Sequence, residues 1–157
     1  MQKIEINKTV LDEIYEQAKK EYPSECCGWI IKNSDNSMTY FAAENLQDKY
    51  HKLDPDSYPR TSHDAFLMDS LKLTRAIEEA EANKGSLYSI VHSHIDCGAY
   101  FSDEDKKQMA TPDGIEQVFP AFCYFVVSID NGENGDNAGY IFNNDNKEFI
   151  EAEIVIS

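Results

Sequence analysis

At 157 residues the chain is long enough to bury one substantial core, so a single domain over residues 1–157 is expected. Its 29 acidic against 14 basic residues leave a formal net charge of −15, which opposes binding to a phosphate backbone and argues against nucleic acid as a partner. No apolar run approaches the length of a bilayer span, and "MQKIEINKTVLDEIYEQAKKEYP" has no basic segment leading into an apolar one, so an unexported, cytoplasmic protein without a membrane partner is expected.

In chain order, Val10, Leu11, Ile14, Tyr15 and Ala18 recur at helical spacing and predict an amphipathic helix from Thr9 to about Lys20, ending before Pro23. "CCGWIIK" reads as a buried strand and "MTYFAAEN" as its antiparallel neighbour, with the polar "NSDNS" as the hairpin turn. Residues 45–64, "NLQDKYHKLDPDSYPRTSHD", contain two prolines and no sustained period, and a connection of this length predicts a mobile segment lying over a functional site. "AFLM" predicts a short strand. Leu71, Leu73, Ile77 and Ala80 predict a second helix, closed by an "NKG" C-cap.

"SLYSIVHSH" predicts a strand, and residues Ser102 to about Ala110 a third, short helix. "AFCYFVVSID" is the most apolar run and is expected to be central in the sheet, with "NAGYIF" and "EFIEAEIVI" as closing strands joined by "NNDNK". The sum is a mixed α/β arrangement, a sheet flanked by helices. Four cysteines, Cys26, Cys27, Cys97 and Cys123, form no CxxC clip and read as reduced thiols.

Two of the four histidines stand one residue apart at the end of a predicted strand. Residues i and i+2 of a strand share a face, so His92 and His94 point the same way. A bare pair of this kind is read first as two hydrogen-bonded strand-end histidines and only second as half of a metal site. Seven residues intervene between His94 and Ser102, and two more before Asp105, giving HxHx7SxxD. Ser102 followed by an acid three residues later is also the signature of a helix N-cap. Both meanings are compatible, because a carboxylate in the first turn of a helix is held rigidly enough to face a metal at an adjacent strand end. A zinc site of His, His and Asp leaves a fourth tetrahedral position for water, the pattern of catalytic rather than structural zinc. A base for that water is expected on a neighbouring strand or loop, where "YPSECCGWI" offers Glu25, which taken alone reads as a solvated strand-end acid.

Taken together, "PSECCGWI", "VHSH" and "FSDED" resemble the signature of the JAMM (JAB1/MPN/Mov34) metalloproteases, and the small stand-alone prokaryotic JAB-domain peptidases in particular. One departure is Ile95, where the family commonly has a proline that stiffens the loop but ligates nothing. The resemblance implies a single MPN-like, cytidine-deaminase-like α/β domain whose mixed, mostly antiparallel sheet is flanked by helices. It implies Zn2+ held by His92, His94 and Asp105, Glu25 as the base that takes a proton from water and passes it to the leaving amine, and Ser102 as the donor to the oxyanion. The implied partner is a small ubiquitin-like or sulfur-carrier protein with a Gly-Gly tail, cleaved by zinc-dependent amide or isopeptide hydrolysis. Removal of a ubiquitin-like modifier from lysine, or a non-catalytic MPN scaffold, are the alternatives. Ser93 is expected on the opposite strand face, Cys97 as a spectator thiol, His51 and His63 in a solvated segment, and Trp29 in the core.

Overall fold

The computed structural model describes residues 1–157. Seven strands form one sheet in the order β1-β7-β6-β5-β4-β2-β3. In chain order the elements are β1 (Lys3–Ile6), α1 (Lys8–Glu21), β2 (Cys27–Lys32), β3 (Met38–Ala43), α2 (Gln47–Leu53), α3 (Ser70–Ala82), β4 (Ser86–Ile95), α4 (Asp103–Met109), β5 (Cys123–Asp130), β6 (Glu133–Asn143) and β7 (Glu148–Ile156). Four of the neighbouring pairs are antiparallel, while β1 with β7 and β4 with β5 are parallel. The sheet is therefore mixed and mostly antiparallel, flanked by helices as expected.

Alternation along the strands sorts the side chains into two cores. Cys123, Phe125, Val127 and Ile129 of β5 pack with Val10, Leu11, Ile14 and Ala18 of α1 on one face. Tyr124 and Val126 pack with Trp29, Leu73, Ile77 and Met109 on the other. A strand covered on both faces has no polar side to show, which is why β5 reads as an unbroken apolar run at the centre of the sheet. Asn7 caps α1 by accepting from the backbone N–H of Val10, and Asp69 caps α3 by accepting from Leu71 and Lys72.

Several expectations are corrected. β1 is an additional strand, and its four residues pair in parallel with β7 at the far end of the chain. Residues 65–69 are not a strand. Phe66 and Met68 are buried as an alternating pattern requires, but the backbone there is held by side-chain amides: Asn45 Oδ1 accepts from Leu67 N–H, and Gln108 donates to the Phe66 carbonyl. The segment 45–64 contains α2, whose one buried residue is the polar Gln47, so it carries no apolar period to read. At the end of α3 the left-handed residue is Lys84 (φ 62°) rather than Gly85. Gly85 instead permits close approach, since a Cβ there would meet the Lys32 carbonyl oxygen at 2.7 Å.

Gly28 in β2 is the tightest such approach on the path to the site. A Cβ on it would lie 2.4 Å from the Phe41 carbonyl oxygen and 2.5 Å from the Tyr40 hydroxyl. Gly28→Ala should therefore strain the β2–β3 ladder and cost roughly 1–3 kcal/mol, read in urea unfolding as a lower midpoint at unchanged slope. A midpoint equal to wild type would show that β3 yields freely.

Candidate metal centre

The histidines lie on β4, in line with Ile90 and so on the face covered by α3. β2 runs antiparallel to β4 with Cys27 opposite His92, and continuing that register sets Glu25 opposite His94 on the same face. Ser93, between the two histidines, faces the other way and locks the register. Its Oγ accepts from Cys26 N–H at 2.7 Å, and its own N–H donates to the Cys26 carbonyl at 3.0 Å. That role matches the expectation for Ser93.

Asp105 arrives from α4. The Ser102 Oγ accepts from Asp105 N–H (3.1 Å) and Asp105 Oδ2 accepts from Ser102 N–H (3.0 Å), a complete capping box. The same Oδ2 lies 3.1 Å from His92 Nε2 and 3.2 Å from His94 Nε2. Cap and site thus share one oxygen. His92, His94 and Asp105 are all buried, and their three ligand atoms lie within 4.8 Å of one another.

The donor chemistry fits a metal ion. His94 Nδ1 is 3.1 Å from the Gly98 carbonyl, which only accepts, so Nδ1 carries a proton and Nε2 is the nitrogen turned to Asp105 and available to a metal. This is the arrangement by which metal-ligating histidines are oriented. Lone pairs converging in a buried place repel unless positive charge lies among them. Zinc bonds of about 2.0–2.1 Å in a tetrahedron would separate neighbouring donor atoms by roughly 3.3 Å, close to the observed His–Asp spacings.

The rings are held from both sides. Phe66 stacks on His92 (4.5 Å between centroids), Phe101 lies 6.2 Å from it, and Tyr100 meets His94 edge-on at 4.7 Å while remaining 47% exposed at the rim. Burial works against the charge on Asp105, yet the adjoining His92 and His94 imidazoles and the hydrogen bond from the Ser102 backbone hold it well below the usual carboxylate range.

Glu25 is 4% exposed, and its Oε1 has no hydrogen-bond partner. Burial pushes its carboxyl up to about 9, with the Asp105 and Asp64 charges adding to the shift and Arg60 opposing it. Its backbone is clamped instead: Glu25 N–H donates to the Ser62 carbonyl (2.7 Å), and Asn45 Nδ2 donates to the Glu25 carbonyl (2.9 Å). Ser62 is itself held by Asp48 of α2, which accepts from both its N–H and its hydroxyl at 2.7 Å. The segment expected to be a mobile cover is thus a brace behind Glu25. Asn45, Asp48 and Ser62 carried no readable signal, because their role lies in contacts made across the fold rather than in any local spacing.

The remaining expectations are simpler. Cys97 is exposed, and its thiol is raised by partial burial and the Glu25 charge, as suits a spectator. His51 and His63 each turn Nδ1 to a backbone carbonyl, of Tyr58 and Pro23 respectively, so both serve the brace. Trp29 is buried in the core, with its indole N–H unpartnered.

Solved structures of other proteins are similar in fold. A solution structure of a protein from Desulfitobacterium hafniense is similar with a TM-score of 0.68 at 20% identity, covering 98% of this chain and 92% of that one. A solution structure of a protein from Salinibacter ruber gives 0.58 at 21% identity, covering 100% and 92%. A JAB1/MPN domain protein from Archaeoglobus fulgidus gives 0.49 at 16% identity, covering 99% and 97%. No curated protein matches. The family described as prokaryotic homologs of the JAB domain matches residues 7–138, a span that contains Glu25, His92, His94, Ser102 and Asp105, and with the fold and the buried His-His-Asp group in place, the chain belongs to that family.

Proposed function

We propose that the protein is a zinc-dependent peptidase that hydrolyses the amide bond after the C-terminal Gly-Gly of a small ubiquitin-like or sulfur-carrier protein. The observation that carries this reading is the convergence of His92 Nε2, His94 Nε2 and Asp105 Oδ2 beside the unpartnered carboxyl of Glu25. Bound to those three atoms, zinc supplies Lewis acidity, acidifying water and polarising a carbonyl.

The chain's own residues do the rest. Glu25 takes a proton from water and returns it to the leaving nitrogen. In the metal-free fold Glu25 holds its proton at neutral pH; a cation held by the histidines and Asp105 would favour the ionised carboxylate, and burial makes that carboxylate a stronger base than an exposed glutamate at about 4.3. The Ser102 Oγ accepts from Asp105 N–H, which leaves its own proton free for the oxyanion that forms at the scissile carbon. Phe66 and Tyr100 fix the imidazole rings, and the brace through Asn45 and Ser62 fixes the base. A Gly-Gly tail suits the site because it has no side chains to obstruct an extended backbone. The net charge of −15 favours a carrier with a basic face. All four cysteines are unpaired, which fits the reducing cytoplasm where we place the protein.

Protein purified without chelator should contain one zinc per chain by elemental analysis, and should cut a Gly-Gly-extended carrier in a mass-spectrometric assay. Glu25→Gln should keep the zinc and lose the cleavage, since the amide accepts no proton at neutral pH. Asp105→Ala should lose both. Ser102→Ala should stay metallated but lose turnover by roughly 100- to 1,000-fold, as when an oxyanion donor is removed elsewhere, with about 0.5–2 kcal/mol of stability from the lost cap. Variants of Ser102 and Asp105 that are slightly less stable yet fully metallated and fully active would reduce the pair to a helix cap.

A second expectation concerns pH. In the metal-free fold Glu25 keeps its proton up to about pH 9, whereas in the unfolded chain it ionises near about 4.3. Its contribution to stability is therefore complete below the unfolded value and is lost as pH rises toward the folded one. In chelator-treated protein, the gain in Tm of Glu25→Gln over wild type should grow from about pH 5 to about pH 8. A gain that is flat with pH would mean that Glu25 ionises normally in the fold.

A further inference from the structure

Behind α4, away from the histidines, lies a cavity of about 480 Å³, within the range of small-molecule sites. Its lining includes Lys106 and Lys107 of α4 and Lys147 of the β6–β7 turn, with Glu148 as its one carboxylate. Three of the chain's 14 basic residues thus meet in one cavity of a protein with 29 acids. Lys107 reaches Glu104 at 3.7 Å, while Lys106 and Lys147 have no carboxylate within ion-pair distance. Lys147 also holds a left-handed backbone (φ 59°), a conformation that glycine or asparagine adopts more readily, so the turn keeps a lysine there against local preference. Phe149 forms an aromatic wall, half-buried, its ring packed against Phe101 and Phe142.

We propose that this cavity binds a small organic phosphate bearing a planar ring, of the nucleoside polyphosphate class. The phosphates lie among the three ammonium groups, which act as point charges, and the ring lies against Phe149. Adjacent phosphates offset the mutual repulsion of Lys106, Lys107 and Lys147, and the ring covers the exposed part of an aromatic side chain. The site stands apart from the proposed peptidase chemistry and does not depend on it. It nevertheless borders it: Lys106 and Lys107 directly follow Asp105 on α4, and Phe149 touches Phe101, the neighbour of Ser102.

The test is isothermal titration of the full chain in EDTA, so that no metal bridges protein and phosphate, with ATP, tripolyphosphate and adenosine as separate titrants. ATP should bind at least about tenfold more tightly than either fragment, and Lys106→Glu and Lys147→Glu should each weaken it by about tenfold or more. Lys8→Glu, on α1, should leave the affinity unchanged. Circular dichroism checks that each variant folds, and Lys147→Met serves where the charge reversal does not. Absence of ATP binding at millimolar concentration, equal loss in Lys8→Glu, or unchanged binding in both cavity variants would overturn the site. Tripolyphosphate binding as tightly as ATP would overturn the place given to Phe149.

Discussion

The candidate centre depends on one strand pairing. β2 and β4 are joined antiparallel, and the two hydrogen bonds between Cys26 and Ser93 lock the register at the residue between the histidines. Because side chains alternate across a sheet, that lock puts Ser93 on one face and His92, His94 and the carboxyl-bearing Glu25 position on the other. A one-residue slip of β4 against β2 would turn both histidines into the α1 core and leave Glu25 on the opposite face. Gly28, one residue past the site-facing Cys27, allows β3 to lie close enough to support β2 along its length.

The second constraint is electrostatic. Asp105 Oδ2 receives the Ser102 backbone N–H and stands within 3.2 Å of both imidazole Nε2 atoms, so one oxygen closes the helix cap and completes the donor triad. Its charge is held by hydrogen bonds despite burial, while nearby Glu25, buried without such partners, is pushed the other way. Two carboxyls at one site are thereby separated in proton affinity by their surroundings: Asp105 gives up its proton readily, and Glu25 in the metal-free fold holds one. Burying an unpartnered carboxyl is unfavourable for folding, and the Asn45–Asp48–Ser62 brace is what holds it in place.

The rest of the sheet serves as a stiff platform. Both faces of β5 are covered, β4 lies parallel beside it, and α4 is anchored to the same core through Met109. Elements packed on a two-sided core hold ligand atoms to closer tolerance than free loops do. The aromatic group Phe66, Phe101, Tyr124 and Phe149 continues that core from the histidines to the lysine-lined cavity behind α4.

Much of this was legible in the chain itself, for a physical reason: strand and helix periods, caps and turns are local. α1, α3, the β2–β3 hairpin, β4 and the central β5 follow from apolar spacing, and HxHx7SxxD sets two candidate ligands on one strand face and a third in the first turn of a capped helix. What lay outside local pattern was decided by contacts between distant residues. β1 exists as a strand because β7 is there to pair with it, and four residues are too few to carry a period alone. The extended 65–69 segment has strand-like burial but amide side chains for partners, which no propensity encodes. Segment 45–64 shows no period because it buries almost nothing apolar; its hydrogen bonds to Glu25, made across some twenty or more residues of chain, turn an unreadable connection into the support of the candidate base.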